Sequence, residues 1–525
     1  MTSEASTLTI DLDIDDRGVD LAGRLNVEAR GNRLIVTLEA ESRSRSHTNR
    51  TGLVVLHPPS LAGEPLQVRH ADGEVERLRF PVAISPHQPA RGIASLAWCD
   101  HSIALRVDLE GDEFEMEDQR NWSDASYKTY NRSLDRPFPY TLEPGERIRQ
   151  RVTVVADASD SPTAPAPAGP ARVETLRLTA SGSLPTIAIG AATAPGPGPK
   201  AHDPVAAHRH VELDLRDPSW PAALERALLG AEDLSVMVVS PSPPQRSHIE
   251  RVAQGLTGAH VRWVGIVDTD SHVSDSQLVT ALREALPPRT PIVGGSRSHY
   301  TELNRQWDRV DTTYLDGLVF PTTPLFHTLE TEQLVEAVAM QRVIAENATS
   351  RAPDLPVHIG PVTLRPRFNN VATSAAPTPV RTDLAEGYGA QLTGADDARQ
   401  SAPELAAWTV ASAAALALPG VGSLTYFEEW GPRGIRTTEG TPLPVHAALA
   451  AVAELDEGVL LSGTSADGVL WAMGSRSRGT DTILVANLSG RPRTVRLAAD
   501  GAPTREADLD AFDWTRLRVQ AAGRS

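Results

Sequence analysis

The densest gathering of chemically capable side chains in this sequence is residues 115–130, EMEDQRNWSDASYKTY. Glu115, Glu117, Asp118, Arg120, Asp124 and Lys128 stand there among Asn121, Trp122, Tyr127 and Tyr130. Carboxylates and amides beside aromatic platforms can grip a polyhydroxylated molecule, and carboxylates can move protons. The stretch has neither the apolar periodicity of a core element nor the composition of a linker. Lys128 is notable because only it and Lys200 are lysines among 50 lysines and arginines. A lysine is a compact point charge whose pKa moves readily on desolvation. The plainer reading is a solvated charged loop, which Trp122 and the tyrosines argue against.

A second set follows short apolar runs. Asp268 and Asp270 follow the run at 261–267. His299, Glu302, Asn304 and Arg305 (SRSHYTELNR) follow 291–295, and His327 follows 317–320. Arg365, Arg367 and Asn369 (VTLRPRFNN) follow 357–361, and Glu428, Glu429, Trp430 and Arg433 (YFEEWGPRG) end the last such run. Each has a structural alternative: a hydrogen-bonded histidine at His327, ion-paired Arg365 and Arg367, a salt-bridged Glu429. His47, Asn49 and Arg50, with Ser85, Pro86 and His87, fall in loops that either complete a site or bond their own turns. No metal-ligand spacing and no G-x-S-x-G nucleophile elbow occurs, so neither a cofactor nor a serine esterase is expected.

The elements that would position these residues follow from pattern. Alternating runs at 33–39, 52–57, 102–109 and 147–155 predict an N-terminal β-sandwich over residues 1–156. A Pro/Ala-rich linker, 157–174, follows. From 175 to 452, eight apolar runs (186–192, 210–215, 234–240, 261–267, 291–295, 317–320, 357–361 and 424–427) alternate with helical segments at 221–229, 276–285, 331–346 and 404–418. This rhythm predicts a (β/α)8 TIM-like barrel, with its chemistry at the C-terminal strand ends and 368–400 as a long loop. Residues 453–525 read as a small C-terminal β-sandwich domain. The fold class is thus multidomain α/β and β.

The formal net charge of −17 argues against nucleic acid or an anionic membrane as partner. Cys99 is the single cysteine, which excludes an intrachain disulfide. The acidic N-terminal stretch lacks the apolar region of a signal peptide, and no run approaches a membrane span, so a cytoplasmic protein is expected. A homo-oligomer is left open.

EMEDQRNWSDASYKTY at 115–130, YTELNR at 300–305, GPVTLRPRFN at 360–369 and TYFE at 425–428 resemble the D-apionate lactonases of bacterial apiose catabolism. The resemblance covers most of the sequence in the same domain order. Asn370 and Glu429 depart from the family pattern, which has proline and a small residue there. The resemblance implies hydrolysis of a five-membered sugar-acid lactone to its hydroxy acid, with a small-molecule sugar lactone as partner. Glu302, Glu428 and His327 become the catalytic candidates. Glu302 or Glu428 would be the base, and Arg305, Arg365 and His327 would stabilise the oxyanion or product carboxylate. Glu117, Asp118, Trp122, Lys128, Asp268, Asn304, Arg305, Arg365, Asn369 and Trp430 would bind substrate. Glu302 and Glu428 also suit a retaining glycoside hydrolase, if they stand about 5 Å apart. A carbohydrate-binding protein without turnover is a third reading.

Overall fold

The computed structural model describes residues 6–520 except 17, 101–102, 159–172, 200–204, 207, 369–378, 456 and 501. Asn369 and most of the linker therefore lie outside the described residues. The protein separates into two compact units, one of residues 1–120 and 125–168, the other of 121–124 and 169–525.

The first unit is all β. Eleven strands form one hydrogen-bonded sheet, and Ser46–Thr48 pairs with Tyr140–Leu142 in a separate ribbon. Its core gathers Leu66, Val68, Phe80, Leu96, Val107, Phe114 and Met116, supplied by alternate residues of neighbouring strands. The 115–130 motif is a hairpin here. Phe114–Asp118 runs antiparallel to Tyr127–Asn131, with Glu117 opposite Lys128.

In the second unit eight parallel strands close a barrel: Thr186–Gly190, His208–Asp214, Asp233–Ser240, Val261–Asp268, Ile292–Gly295, Gly317–Thr322, Val357–Val362 and Val421–Glu428. They coincide with the eight apolar runs, because strands buried on both faces read as short continuous apolar segments. They are called strands one to eight below. Helices Trp220–Leu228, Arg246–Gly255, Ser276–Ala285, Thr331–Arg351 and Glu404–Leu416 lie in the crossovers. The connection from strand one to strand two holds no helix among the described residues. Helix Glu404–Leu416 is buried on every side from Leu405 onward, as its uniformly apolar, alanine-rich sequence requires. It packs on helix Thr331–Arg351 and on the C-terminal strands Leu470–Ser477 and Thr480–Asn487.

The C-terminal sheet has seven strands, and one of them arrives from far upstream. Glu174–Ser183, inside the span expected to be barrel, pairs parallel with Arg493–Ala499 and antiparallel with Val459–Thr464. Leu176 and Leu178 alternate with polar residues and join the core of Leu461, Val485 and Leu497. That half-buried alternation belongs to a sheet with one wet face, not to a barrel strand. Among the described residues no helix is long and apolar enough to cross a membrane.

Candidate active site

Three groups of side chains are built at the C-terminal ends of the barrel strands. The first involves Asn121–Asp124, the tip of the 115–130 motif, which belongs to the barrel's own compact unit. Thr301 donates its hydroxyl to Asn121 O at 2.8 Å, and Asn304 Nδ2 donates to Asn121 Oδ1 at 2.9 Å. Asn304, itself gripped by Arg351, is thus an anchor for the tip. The tip sets Asp124 against His327, in the loop after strand six, with Oδ2 2.6 Å from Nδ1. A carboxylate only accepts, so Nδ1 carries the proton that bridges the pair, and Nε2 is not engaged by the acid. Gln333 Nε2 donates to the other Asp124 oxygen at 3.3 Å. The Asp124 side chain is 8% exposed, the His327 side chain 33%. Buried acid behind half-open imidazole is the arrangement that orients a general base.

Trp122 walls this pair. It stacks on Phe326 at 4.4 Å between centroids and meets His299 and His327 edge-on at 5.1 and 5.7 Å. The Arg305 guanidinium lies 5.7 Å from its centroid. His299 caps the short helix Tyr300–Arg305 in a capping box with Glu302, whose carboxylate accepts from His299 N at 3.1 Å. Burial pushes the Glu302 carboxyl up, against opposing hydrogen bonds from Ser298 and the backbone. Burial, with Arg367 nearby, pushes His299 down to about 3, so its ring is neutral.

The second group is a charge cluster inside the mouth. Glu212, near the end of strand two, accepts from Arg297 at 2.6 Å and from Arg367 at 2.9 Å. Burial alone would raise this carboxyl, but the two guanidiniums hold it at about 2. Phe368 lies under Arg297 at 4.4 Å and beside His272 at 5.2 Å. His272, at φ +62°, sits on a turn tied by Asp268, which accepts from the backbone of Ser242, Asp270 and Ser271. Burial lowers His272 to about 4, helped by Arg297.

The third group holds Glu428 at the end of strand eight. Thr193 N and Oγ1 donate to its two oxygens, each at 2.8 Å, and Arg433 Nε donates at 3.0 Å. A register shift there sets Gly190 opposite Glu428. Phe427 adopts φ +48°, which costs a side-chain-bearing residue about 1–3 kcal/mol and is typical of functional sites.

The other sequence candidates sit as follows. Lys128 pairs with Glu117 at 3.2 Å on the hairpin of the first unit. Asp118 forms a buried two-pronged pair with Arg120, at 2.8 and 2.7 Å, and accepts from Ser85 N. Arg365 donates to Asp396 O. Trp430 packs with Ala192 and Ala194 beneath the Arg226 guanidinium, and Glu429 pairs with Arg209. Asp124, Glu212, Arg297, Phe326 and Thr193 were not singled out from the sequence as site residues. Glu212 was within reach, since the rule applied to the later strand ends also marks the polar end of HRHVELD.

Comparison with known proteins matches the sequence to a family. Residues 1–159 match the model of the D-apionate lactonase N-terminal domain, and residues 205–457 match that of the D-apionate lactonase TIM barrel domain. A D-apionate lactonase from Brucella anthropi is 28% identical over 483 residues, covering 84% of this chain and 73% of that protein. Among solved structures, a GH30 endoxylanase from Clostridium papyrosolvens C71 is 8% identical with TM-score 0.42, covering 67% of this chain and all of that one. A GH51 arabinofuranosidase from Xanthomonas axonopodis pv. citri is 10% identical with TM-score 0.43, covering 66% and 100%. Likeness at that level carries no functional argument. The two family models leave unmatched only residues 160–204, which hold the linker region and barrel strand one, and residues 458–525 of the C-terminal sheet, and the chain belongs to the D-apionate lactonase family.

Proposed function

We propose that this protein is a lactone hydrolase that opens a five-membered sugar-acid lactone, D-apionolactone or a close analogue, to its hydroxy acid. We further propose that His327 is the base. The supporting observation is the Asp124–His327 pair at 2.6 Å, half open beside the Trp122–Phe326 wall. His327 Nε2 takes a proton from water as the water oxygen bonds to the lactone carbonyl carbon. The tetrahedral intermediate then expels the ring oxygen, which takes the proton back from Nε2. One water is consumed, and one carboxyl and one hydroxyl are formed. Asp124 fixes the tautomer and supports the imidazolium as it forms. Positive charge from Arg297, Arg367 and Arg305 favours the oxyanion and the product carboxylate.

Glu302 and Glu428 fit the base role less well. The first accepts from a helix cap, the second from Thr193 and Arg433. Glu428 is better suited to binding substrate hydroxyls. Hydrolysis of D-apionolactone by the purified protein, followed by proton release with and without EDTA, tests the activity. Turnover that survives EDTA and collapses in His327→Gln is the expected result. Cleavage of aryl glycosides without lactone opening would overturn the reading.

A further inference from the structure

The loop that leads into helix Glu404–Leu416 is pinned where it passes Thr193. Tyr388 N donates to Thr193 O at 3.0 Å. Gly387, at φ +80°, comes so close that a Cβ there would lie 2.4 Å from the same oxygen. Thr193 is the residue whose N–H and hydroxyl hold Glu428, so one residue fixes both Glu428 and the backbone of Tyr388. Tyr388 is only 5% exposed. Glu428, Arg226, Glu429 and Glu212 all lie near enough to act on it.

A buried tyrosine hydroxyl ordinarily finds a partner. The Tyr388 hydroxyl makes no hydrogen bond with the described residues, and it is not among the unbonded polar atoms sealed from solvent. The oxygen therefore keeps some access to solvent, and the backbone that carries it is held against Thr193, just past strand one. His327 follows strand six. Burial, reinforced by Glu428, raises the phenol well above its ordinary value, so the group stays a hydrogen-bond donor at working pH.

We infer that Tyr388 is a specificity residue: its hydroxyl donates to a hydroxyl oxygen of the bound sugar lactone, in a subsite shared with Glu428. The inference rests on the lactonase reading for its substrate class. A site built around an unpaired donor discriminates against ligands that lack the matching oxygen.

The test compares Tyr388→Phe with wild type on D-apionolactone and on unsubstituted γ-butyrolactone. Because the hydroxyl makes no hydrogen bond among the described residues, its removal is expected to leave the fold intact, as a thermal melt would verify. The kcat/KM ratio of the hydroxylated to the bare lactone is expected to fall about tenfold, the size of one hydrogen bond. An unchanged ratio overturns the inference while leaving the lactonase reading standing. Calorimetric titration with the ring-opened acid, D-apionate, separates the two ideas. If wild type opens neither lactone, the functional reading fails, yet about tenfold weaker binding of D-apionate by Tyr388→Phe still supports the subsite. Equal binding by both proteins, or none by wild type, overturns it.

Discussion

The Asp124–His327 pair and the glutamates Glu302 and Glu428 make opposite demands on mutation. If His327 is the base, Asp124→Asn offers Nδ1 a donor in place of an acceptor, and the tautomer presented at Nε2 reverses. Steady-state kinetics should show kcat lower by about 10²–10⁴-fold with little change in KM, the usual size of a general-base contribution. His327→Gln should lose a similar factor, and the double variant should be hardly worse than either alone, since the two act as one unit. Glu302→Gln keeps a side-chain oxygen for the His299 cap and should retain kcat within several-fold. Glu302→Ala, lacking that oxygen, should lose about 1 kcal/mol in denaturant unfolding. A kcat collapse in Glu302→Gln with an intact melting curve would restore the glutamate to the base role.

At the scale of elements, the site depends on how strand ends and loops meet. Strand one approaches strand eight so closely that a Cβ on Gly190 would lie 2.3 Å from Phe427 O. Gly190→Ala must therefore push apart the bulge that aims Glu428. We expect a loss of about 1–3 kcal/mol by chemical denaturation, with a rise in KM larger than any fall in kcat, since Glu428 is assigned to binding. The barrel strands were legible in the sequence because each is a short apolar run between helices or turns. Glu174–Ser183 was not, because alternation reveals a half-buried strand without naming its partners, and these lie some three hundred residues downstream. The site shows the same limit. His327 stood out by its place after strand six, and the 115–130 motif by its density. Nothing local revealed that Asp124, 203 residues earlier, is the partner of that histidine. Asn304 and Trp430 were expected from their places near strand ends to bind substrate. Their packing, one against Asn121 and the other under Arg226, became visible only in three dimensions.

For the whole molecule the decisive feature is the barrel interior below the site. Where aliphatic layers are the norm, this barrel places His208 and His210 on strand two, Trp263 on strand four and His358 on strand seven. Trp263 lies 5.4 Å from both His210 and His358 between ring centroids. His358 Nδ1 meets Ser423 Oγ at 2.8 Å, and His210 Nδ1 meets Ser235 Oγ at 3.2 Å. Neither ring nitrogen of His208 has a hydrogen-bond partner among the described residues. Burial is the leading cause that holds all three imidazoles neutral, His208 and His358 at about 4 and His210 at about 3, against an ordinary 6.5. The folded values are depressed, so below pH 6.5 the unfolded protein takes up protons that the folded barrel refuses. Stability from these groups is complete above pH 6.5 and is lost as pH falls towards about 4. Urea unfolding at pH 7.5, 6.0 and 5.0 should show a midpoint that declines steadily over this window. His358→Gln, which keeps a polar partner for Ser423 but cannot be protonated, should flatten the decline. An identical pH slope in that variant would mean that His358 carries none of the acid sensitivity, with His208 and His210 the next groups to exchange.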